Sequence, residues 1–213
     1  MEVLSLVNNG AIGNLNLVEI QCSKQDIINA GIHLLNYFVN LTGREAMDYI
    51  LATCESSSKT YRDGMQVETT AITYGQTRSG VRIVLHSGDK VLITRPGSGH
   101  LIRIVGSQGF IEFRKGDDYH TILNAEHPMG SDITPSSLKY DGHRKFLEDL
   151  ADMIESGKTS YVIPDTSLSA LELVEAAYLS SRYQCKVSFP FSDSKSPLRQ
   201  FGILECHMMG KAA

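Results

Sequence analysis

The chain has 213 residues, 42% of them hydrophobic and 21% charged, so it can form a soluble domain with a sizeable core. Its formal net charge of −4 argues against a nucleic-acid partner, which needs a concentrated basic surface. We find no leader-like N-terminal segment and no apolar stretch as long as a membrane span, and so expect no membrane partner. The 4 cysteines are scattered without a CxxC spacing, which indicates free thiols in a reducing, cytoplasmic compartment.

The first half of the chain predicts a helix end, a strand, a helix and then a series of strands. Residues 1–10 read as the tail of a helix closed by Asn-Gly, residues 14–22 alternate as a strand should, and a helix begins near residue 24 behind Ser23-x-x-Asp26. Between residues 45 and 123 the segments rich in β-branched and aromatic residues predict strands at 46–54, 66–74, 80–87, 90–94, 100–107 and 109–115. Turn residues between several of them indicate hairpins, and therefore a largely antiparallel sheet.

The last third predicts two helices and a closing strand. Residues 142–157 place Phe146, Leu147, Leu150, Met153 and Ile154 on one helix face. A second helix opens at Pro164 and is apolar almost all round, so we expect it to lie buried against the sheet, followed by a strand at 186–191 and a loose tail at 192–213. The prediction for residues 11–191 is one α+β domain: a broad, largely antiparallel (mixed) sheet with helices on one face and the other face available for oligomerisation.

A line of polar residues marks the first complete helix. Asp26, Asn29, His33, Asn36 and Asn40 recur at spacings of three and four, which puts them on one helix face opposite the apolar set Ile27, Gly31, Leu34, Leu35 and Phe38. We call these five residues the polar stripe. A carboxylate, three amides and an imidazole in line can hold a sugar-like substrate by its hydroxyls, or they can form a solvated helix face. The pattern alone favours the solvated face.

Other motifs are weaker. The remaining histidines show no HxH or HExxH spacing, so no metal site is predicted. The glycines of "RPGSGH" and "VGSQGF" lack the strand–GxGxxG–helix context that cradles a pyrophosphate, and they predict turns instead. We therefore expect no nucleotide site in this chain.

Four segments resemble, in the expected order, the C-terminal domain of the Gfo/Idh/MocA family, the glucose–fructose oxidoreductase and inositol dehydrogenase type. These are "NNGAIGNLNLVEIQCS" (8–23), "NAGIHLLNYF" (29–38), "IRIVGSQGFIEF" (102–113) and the long stretch 146–190. The resemblance implies an NAD(P)-dependent oxidoreductase acting on a sugar, polyol or similar compound, as a dimer or tetramer assembled through the open sheet face. It also implies that a Rossmann domain of roughly 120 residues, with the catalytic lysine, lies outside this chain and that residues 1–10 are the tail of a helix of that domain. This chain alone is then expected to bind no NAD or NADP and to be inactive.

The same resemblance assigns the site. His33 falls on the family histidine beside the substrate carbon, where an imidazole can take or relay the hydroxyl proton. Lys24, Asp26, Asn29 and Asn36 are expected to line the same cleft, although Asn29 and Asn36 stand where the family has aspartates and can only orient by hydrogen bonding. Tyr119, His120 and Arg182 belong either to the surface or to the cleft. The alternatives are a non-catalytic assembly module derived from the family and an independent small-ligand-binding domain.

Overall fold

The fold is built on one open, twisted sheet in the computed structural model, which describes residues 2–55, 64, 66–93, 99–114, 119–134, 142–158 and 160–191. The helical elements are α1 (Glu2–Asn8), a π-helical turn (Ile27–Gly31), α2 (Ile32–Leu41), α3 (Gly142–Ser156) and α4 (Val162–Tyr183). The strands are β1 (Leu15–Ser23), β2 (Met47–Glu55), β3 (Thr70–Thr77), β4 (Arg82–Gly88), β5 (His100–Gly106), β6 (Phe110–Arg114), β7 (His120–Leu123), β8 (Ser131–Ile133) and β9 (Val187–Ser188).

The strand order of the sheet is β8-β7-β6-β5-β1-β4-β3-β2-β9. Among the described strands, only the central pair β1 and β4 is parallel. The segment that connects them, α2, β2 and β3, brings the chain back to the end of the sheet at which β1 begins, so β4 runs in the same direction as β1. The strands on either side form antiparallel meanders. The predicted α+β class, with a largely antiparallel mixed sheet, is confirmed.

Helices cover one face of the sheet, which we call the inner face. Its strands carry fully buried residues such as Val18, Ile20, Ile83 and Leu85. The helix α4 packs on β2, where the hydroxyl of Ser180 accepts a hydrogen bond from the amide of Ala52 at 2.8 Å. The opposite, outer face leaves large apolar side chains in solvent; Leu51 and Ile72 are 48% and 46% exposed.

Several predicted elements are confirmed. The chain closes α1 with Gly10 in the left-handed conformation (φ 77°), as the Asn-Gly pair predicts. The long helix α4 buries nine of its residues, most of them in its middle and second half, among them Leu173, Val174 and Tyr178. None of the helices in the described ranges has the length and apolar character needed to cross a bilayer.

Other predictions differ from the structure. The strand predicted at 90–94 is not formed in the described residues. Lys90 belongs to a turn, residues 91–93 have no regular secondary structure, and Thr94 lies outside the described residues. The strand predicted at 66–74 begins only at Thr70, and the predicted tail at 192–213 is likewise outside the described residues. The apolar stripe of α3 is exposed; Leu147 and Ile154 are 63% and 74% accessible.

Candidate functional site

The helix that carries His33 follows a tight loop at the end of β1. Two backbone hydrogen bonds and one from a side chain fix this loop: Lys24 N–H donates to the carbonyl of Gly88 (2.9 Å), Ser23 N–H to that of Gly99 (3.0 Å), and the Ser23 hydroxyl to that of Val91 (2.8 Å). Lys24 has φ 60°, a left-handed conformation that glycine adopts without strain and lysine does not. The exposed Lys24 side chain therefore starts from a fixed backbone position beside the helix start.

Asp26 caps the start of the helix and is not exposed to solvent. It is 3% exposed, has extended backbone geometry (φ −94°, ψ 170°), and its Oδ1 accepts hydrogen bonds from both the backbone amide and the side-chain amide of Asn29, each at 2.8 Å. This is an N-cap, which satisfies one of the free amides at a helix start. The helix therefore begins at Ile27, three residues later than predicted, because Ser23 is still paired in β1.

The first turn after Asp26 contains one extra residue. The carbonyl of Asp26 accepts from the amides of both Ala30 (3.3 Å) and Gly31 (3.0 Å), so α-helical and π-helical bonds share one acceptor. Gly31 lies against the inner face of the sheet: a Cβ added there would be 3.3 Å from Leu85 Cδ2, tighter than ordinary contact. The small residue allows the helix to approach β4 closely.

The remaining members of the polar stripe face outward from α2. His33 is exposed, Asn29 and Asn36 are half-buried, and Asn40 is exposed. The side-chain amide of Asn40 donates to the backbone carbonyl (2.8 Å) and to Oδ1 (3.0 Å) of Asn36, which fixes the orientation of that amide. An accessible imidazole flanked by two oriented amides can exchange a proton with a hydroxyl compound while the amides bind neighbouring hydroxyls.

Sequence reasoning missed a buried carboxylate behind this helix. Glu68 is fully buried; its Oε1 accepts from the Ile27 amide and its Oε2 from the Tyr178 hydroxyl, both at 2.7 Å. Burial raises the pKa of the Glu68 carboxyl, and the nearby Asp26 carboxylate adds to the increase against the effect of these hydrogen bonds. No periodicity could have identified it, since Glu68 stands in an irregular segment and its partner Tyr178 is 110 residues away.

The structure distinguishes, by their burial, the three residues that the sequence assigned either to the surface or to the cleft: Tyr119, His120 and Arg182. His120 is 1% exposed on the inner face of β7, and neither of its ring nitrogens has a hydrogen-bond partner within the described part of the chain. Burial lowers the pKa of His120, although Glu2 opposes this, so the buried imidazole is held neutral. Tyr119 and Arg182 are half-buried, and the guanidinium of Arg182 lies 5.2 Å from the ring centroid of Tyr183.

A cavity of about 280 Å³ lies at the opposite end of the sheet, between α2, α4 and the start of β2. Its walls include Thr42, Arg44, Arg78 and Glu172, and Arg44 is already paired with Asp165 at 3.2 Å. The cavity does not coincide with the polar stripe, whose exposed residues lie on the side of α2 that faces away from the sheet. Within the described ranges, no group of three metal-ligating side chains comes together.

A nicotinamide dinucleotide does not fit the strand-to-helix turn of this chain. A dinucleotide cradle needs glycines where the chain turns from strand into helix, so that backbone amides reach the pyrophosphate. Residues 23–26 read Ser-Lys-Gln-Asp, with no glycine, and the Asp26 carboxylate occupies the helix start that would face the phosphates. We therefore assign no cofactor-binding role to this turn.

The chain is similar to known oxidoreductases. The family model described as "Oxidoreductase family, C-terminal alpha/beta domain" matches residues 27–189. Among solved structures, the aldose-aldose oxidoreductase from Caulobacter crescentus complexed with glycerol aligns at a TM-score of 0.72 with 20% identity, covering 88% of this chain and 59% of its own. An oxidoreductase from Agrobacterium radiobacter in complex with NAD+, L-tartaric acid and magnesium aligns at 0.66 with 18% identity, covering 88% and 60%.

A third structure, a 3-ketoreductase from Actinomadura kijaniata in complex with TDP-benzene and NADP, aligns at a TM-score of 0.64 with 17% identity, covering 83% of this chain and 55% of its own. The chain thus spans about three fifths of the length of the structures it matches. No curated protein matches it by sequence. At these identities the structures establish the fold alone, while the family model covers most of the chain. The chain belongs to the Gfo/Idh/MocA oxidoreductase family, whose C-terminal alpha/beta domain it contains.

Proposed function

We propose that this chain is the substrate-binding and oligomerisation part of an NAD(P)-dependent oxidoreductase that acts on a sugar, polyol or similar hydroxy compound. The observation that carries the proposal is the exposed His33 between Asn29 and Asn36, on a helix whose start is fixed by Asp26. The small hydroxy compounds bound by two of the similar structures, glycerol and L-tartaric acid, support the substrate class.

In this proposal His33 accepts the proton of the reacting hydroxyl and later returns it to solvent, to which it is open. The side-chain oxygens and amides of Asn29 and Asn36 bind adjacent hydroxyls and orient the substrate without taking a proton. Asp26 acts by capping, since its carboxylate is buried against Asn29, and Lys24 borders the cleft from the loop before the helix. A nicotinamide cofactor, when bound to the full oxidoreductase, would accept the hydride from the substrate carbon that carries this hydroxyl.

The open outer face supports assembly as a dimer or tetramer. Two exposed apolar residues, Leu51 on β2 and Ile72 on β3, lie on it and line one surface depression together with Tyr74, and contiguous exposed apolar patches mark interaction surfaces. Cys54 and Cys185 form no disulfide among the described residues, which fits a reducing compartment, and we propose a cytoplasmic location.

A ligand panel tests the proposal. Glycerol, L-tartrate, D-glucose and myo-inositol are titrated into isotopically labelled protein, and the imidazole signals of His33 and the side-chain amide signals of Asn29 and Asn36 are followed by NMR. We expect one class of hydroxy compound to shift all three, and His33→Gln to weaken binding by tenfold or more (about 1.4 kcal/mol). The matched control is His143→Gln, which changes an equally exposed histidine on α3.

A second candidate is the non-catalytic assembly module. The observation that favours it is the presence of amides, not carboxylates, at Asn29 and Asn36, since an amide neither takes a proton nor stabilises an imidazolium by its charge. A stable oligomer through the outer face, combined with no response of His33 to any compound of the panel, would support this candidate and contradict the first.

A further inference from the structure

The carboxylate of Glu68 joins three elements of the fold. It stands in the segment before β3, its Oε1 accepts from the amide of Ile27, and its Oε2 accepts from the hydroxyl of Tyr178, both at 2.7 Å and both buried. Ile27 opens the π-helical turn that leads into α2, and Tyr178 lies in α4. One side chain therefore ties the start of the His33 helix to α4.

Burying the carboxylate of Glu68 to make this connection costs free energy of folding. Within the part of the chain that the structure describes, the titratable groups that face it from the packed elements are Asp26 at the helix start, Cys54 on β2 and Tyr178 on α4, and none of these three carries a positive charge. Burial raises the pKa of Cys54 to about 12, and Glu68 adds to this, so the thiol stays protonated. A buried carboxylate without a cation costs stability relative to an apolar residue, so its contribution lies in the geometry that it imposes.

The geometry at stake is the register of the first turn. The carbonyl of Asp26 is shared between the amides of Ala30 and Gly31, which places the turn at the boundary between α and π. A change of register by one residue rotates every later side chain by about 100° around the helix axis. His33 and Asn36, which both follow the turn in α2, would then rotate together away from the face on which Asn29 lies. The bond from Glu68 to the Ile27 amide fixes the residue at which the helix begins.

We propose that Glu68 is a positioning residue of the candidate site: through Ile27 it sets the register of the helix that carries His33, and the proton on its carboxyl changes that setting. The role given to His33 rests on the proposed function, whereas the connection from Glu68 to Ile27 and Tyr178 is a property of the fold. The proposal can therefore be tested without substrate.

The experiment is a pH titration of the labelled protein by NMR. The backbone amide proton of Ile27 reports directly on the charge of its acceptor. We expect it to titrate with a midpoint above the ordinary glutamate range, and we expect the side-chain signals of Asn29, Asn36 and His33 to show a component with the same midpoint. The wild-type protein suffices for this measurement, so it does not depend on any variant that fails to fold.

Three substitutions test the direction in which the midpoint of this titration shifts. Tyr178→Phe removes a hydrogen bond that favours the charged carboxylate and raises the midpoint, whereas Asp26→Asn removes a like charge, keeps a good N-cap and lowers it. Glu68→Gln keeps the shape and an acceptor oxygen but abolishes the shared titration. The matched control is Glu45→Gln, since Glu45 accepts from the backbone amide of Ser79 at the opposite end of the sheet, and it leaves the titration unchanged.

Each outcome decides the proposal. Opposite shifts of the midpoint for Tyr178→Phe and Asp26→Asn, with the polar-stripe signals following Ile27, establish it. An Ile27 amide that does not titrate, or a titration that persists in Glu68→Gln, overturns it. Titration of Ile27 without any response in Asn29, Asn36 and His33 also overturns it, because Glu68 then holds the fold but does not position the site. Failure of the ligand panel alone leaves these results unaffected and counts only against the proposed function.

Discussion

Replacing Tyr178 by phenylalanine isolates one buried, charge-assisted hydrogen bond. The ring of Tyr178 is fully buried in α4 and keeps its packing in the variant, while Oε2 of Glu68 loses its donor at 2.7 Å. Hydrogen bonds to charged groups contribute about 1.5–3 kcal/mol, and a buried carboxylate oxygen left without a donor is costly. We therefore expect Tyr178→Phe to lower the free energy of unfolding by about 1.5–3 kcal/mol at mildly alkaline pH.

The cost should shrink when the carboxyl is protonated. Below the ordinary glutamate pKa, Glu68 is neutral and the same bond contributes only about 0.5–1.5 kcal/mol. Urea unfolding followed by circular dichroism at the two pH values measures both costs, with an unchanged m-value as the test that compactness is kept. Tyr183→Phe, on an exposed ring of the same helix, is the control and should stay within about 0.5 kcal/mol of the wild type. Equal costs at both pH values, or a cost below about 0.5 kcal/mol at alkaline pH, would refute the reasoning.

Three further predictions concern charge, assembly and cofactor. Because the pKa of Glu68 is raised in the folded state, its contribution to stability is present below the unfolded pKa near 4.5 and is lost as the pH rises through the folded pKa. Glu68→Gln should therefore flatten this part of the curve of unfolding free energy against pH, measured by urea unfolding. An unchanged slope would contradict the prediction. Leu51→Glu combined with Ile72→Glu should convert a dimer or tetramer into monomer in sedimentation velocity, while Leu147→Glu on α3 leaves the oligomer intact; a wild-type monomer at high concentration contradicts the assembly proposal. Calorimetric titration of the chain with NAD+ or NADP+ should give no binding, and micromolar affinity would contradict the prediction that the chain has no pyrophosphate-binding turn.

The features predictable from sequence are those with a short-range signal. Alternation identified β1, turn residues identified the hairpins, and the apolar surround of α4 predicted its burial against the sheet. The apolar face of the helix that carries His33 was also correctly predicted, since all five of its residues are buried: Ile27, Gly31, Leu34, Leu35 and Phe38. Each of these depends on neighbours within a few turns of chain.

The features that sequence could not predict depend on long-range contacts. Asp26 fits the helical spacing of the polar stripe, yet the paired end of β1 delays the helix start and turns its carboxylate inward as a cap. The short strands β7 and β8 have too few residues for a clear alternation. Glu68 looks like an ordinary surface residue until α4 brings Tyr178 against it. Charged residues in buried, fully bonded positions break the local rules that pattern reading uses, and such breaks concentrate near functional sites.

The location of a bound hydroxy compound tests the central claim most directly. Intermolecular NOEs between a compound selected from the ligand panel and the protein give the contact residues without any variant. The account predicts NOEs to the ring protons of His33 and to the side-chain amides of Asn29 and Asn36. NOEs confined to the cavity lined by Thr42 and Arg78, at the opposite end of the sheet, would contradict it.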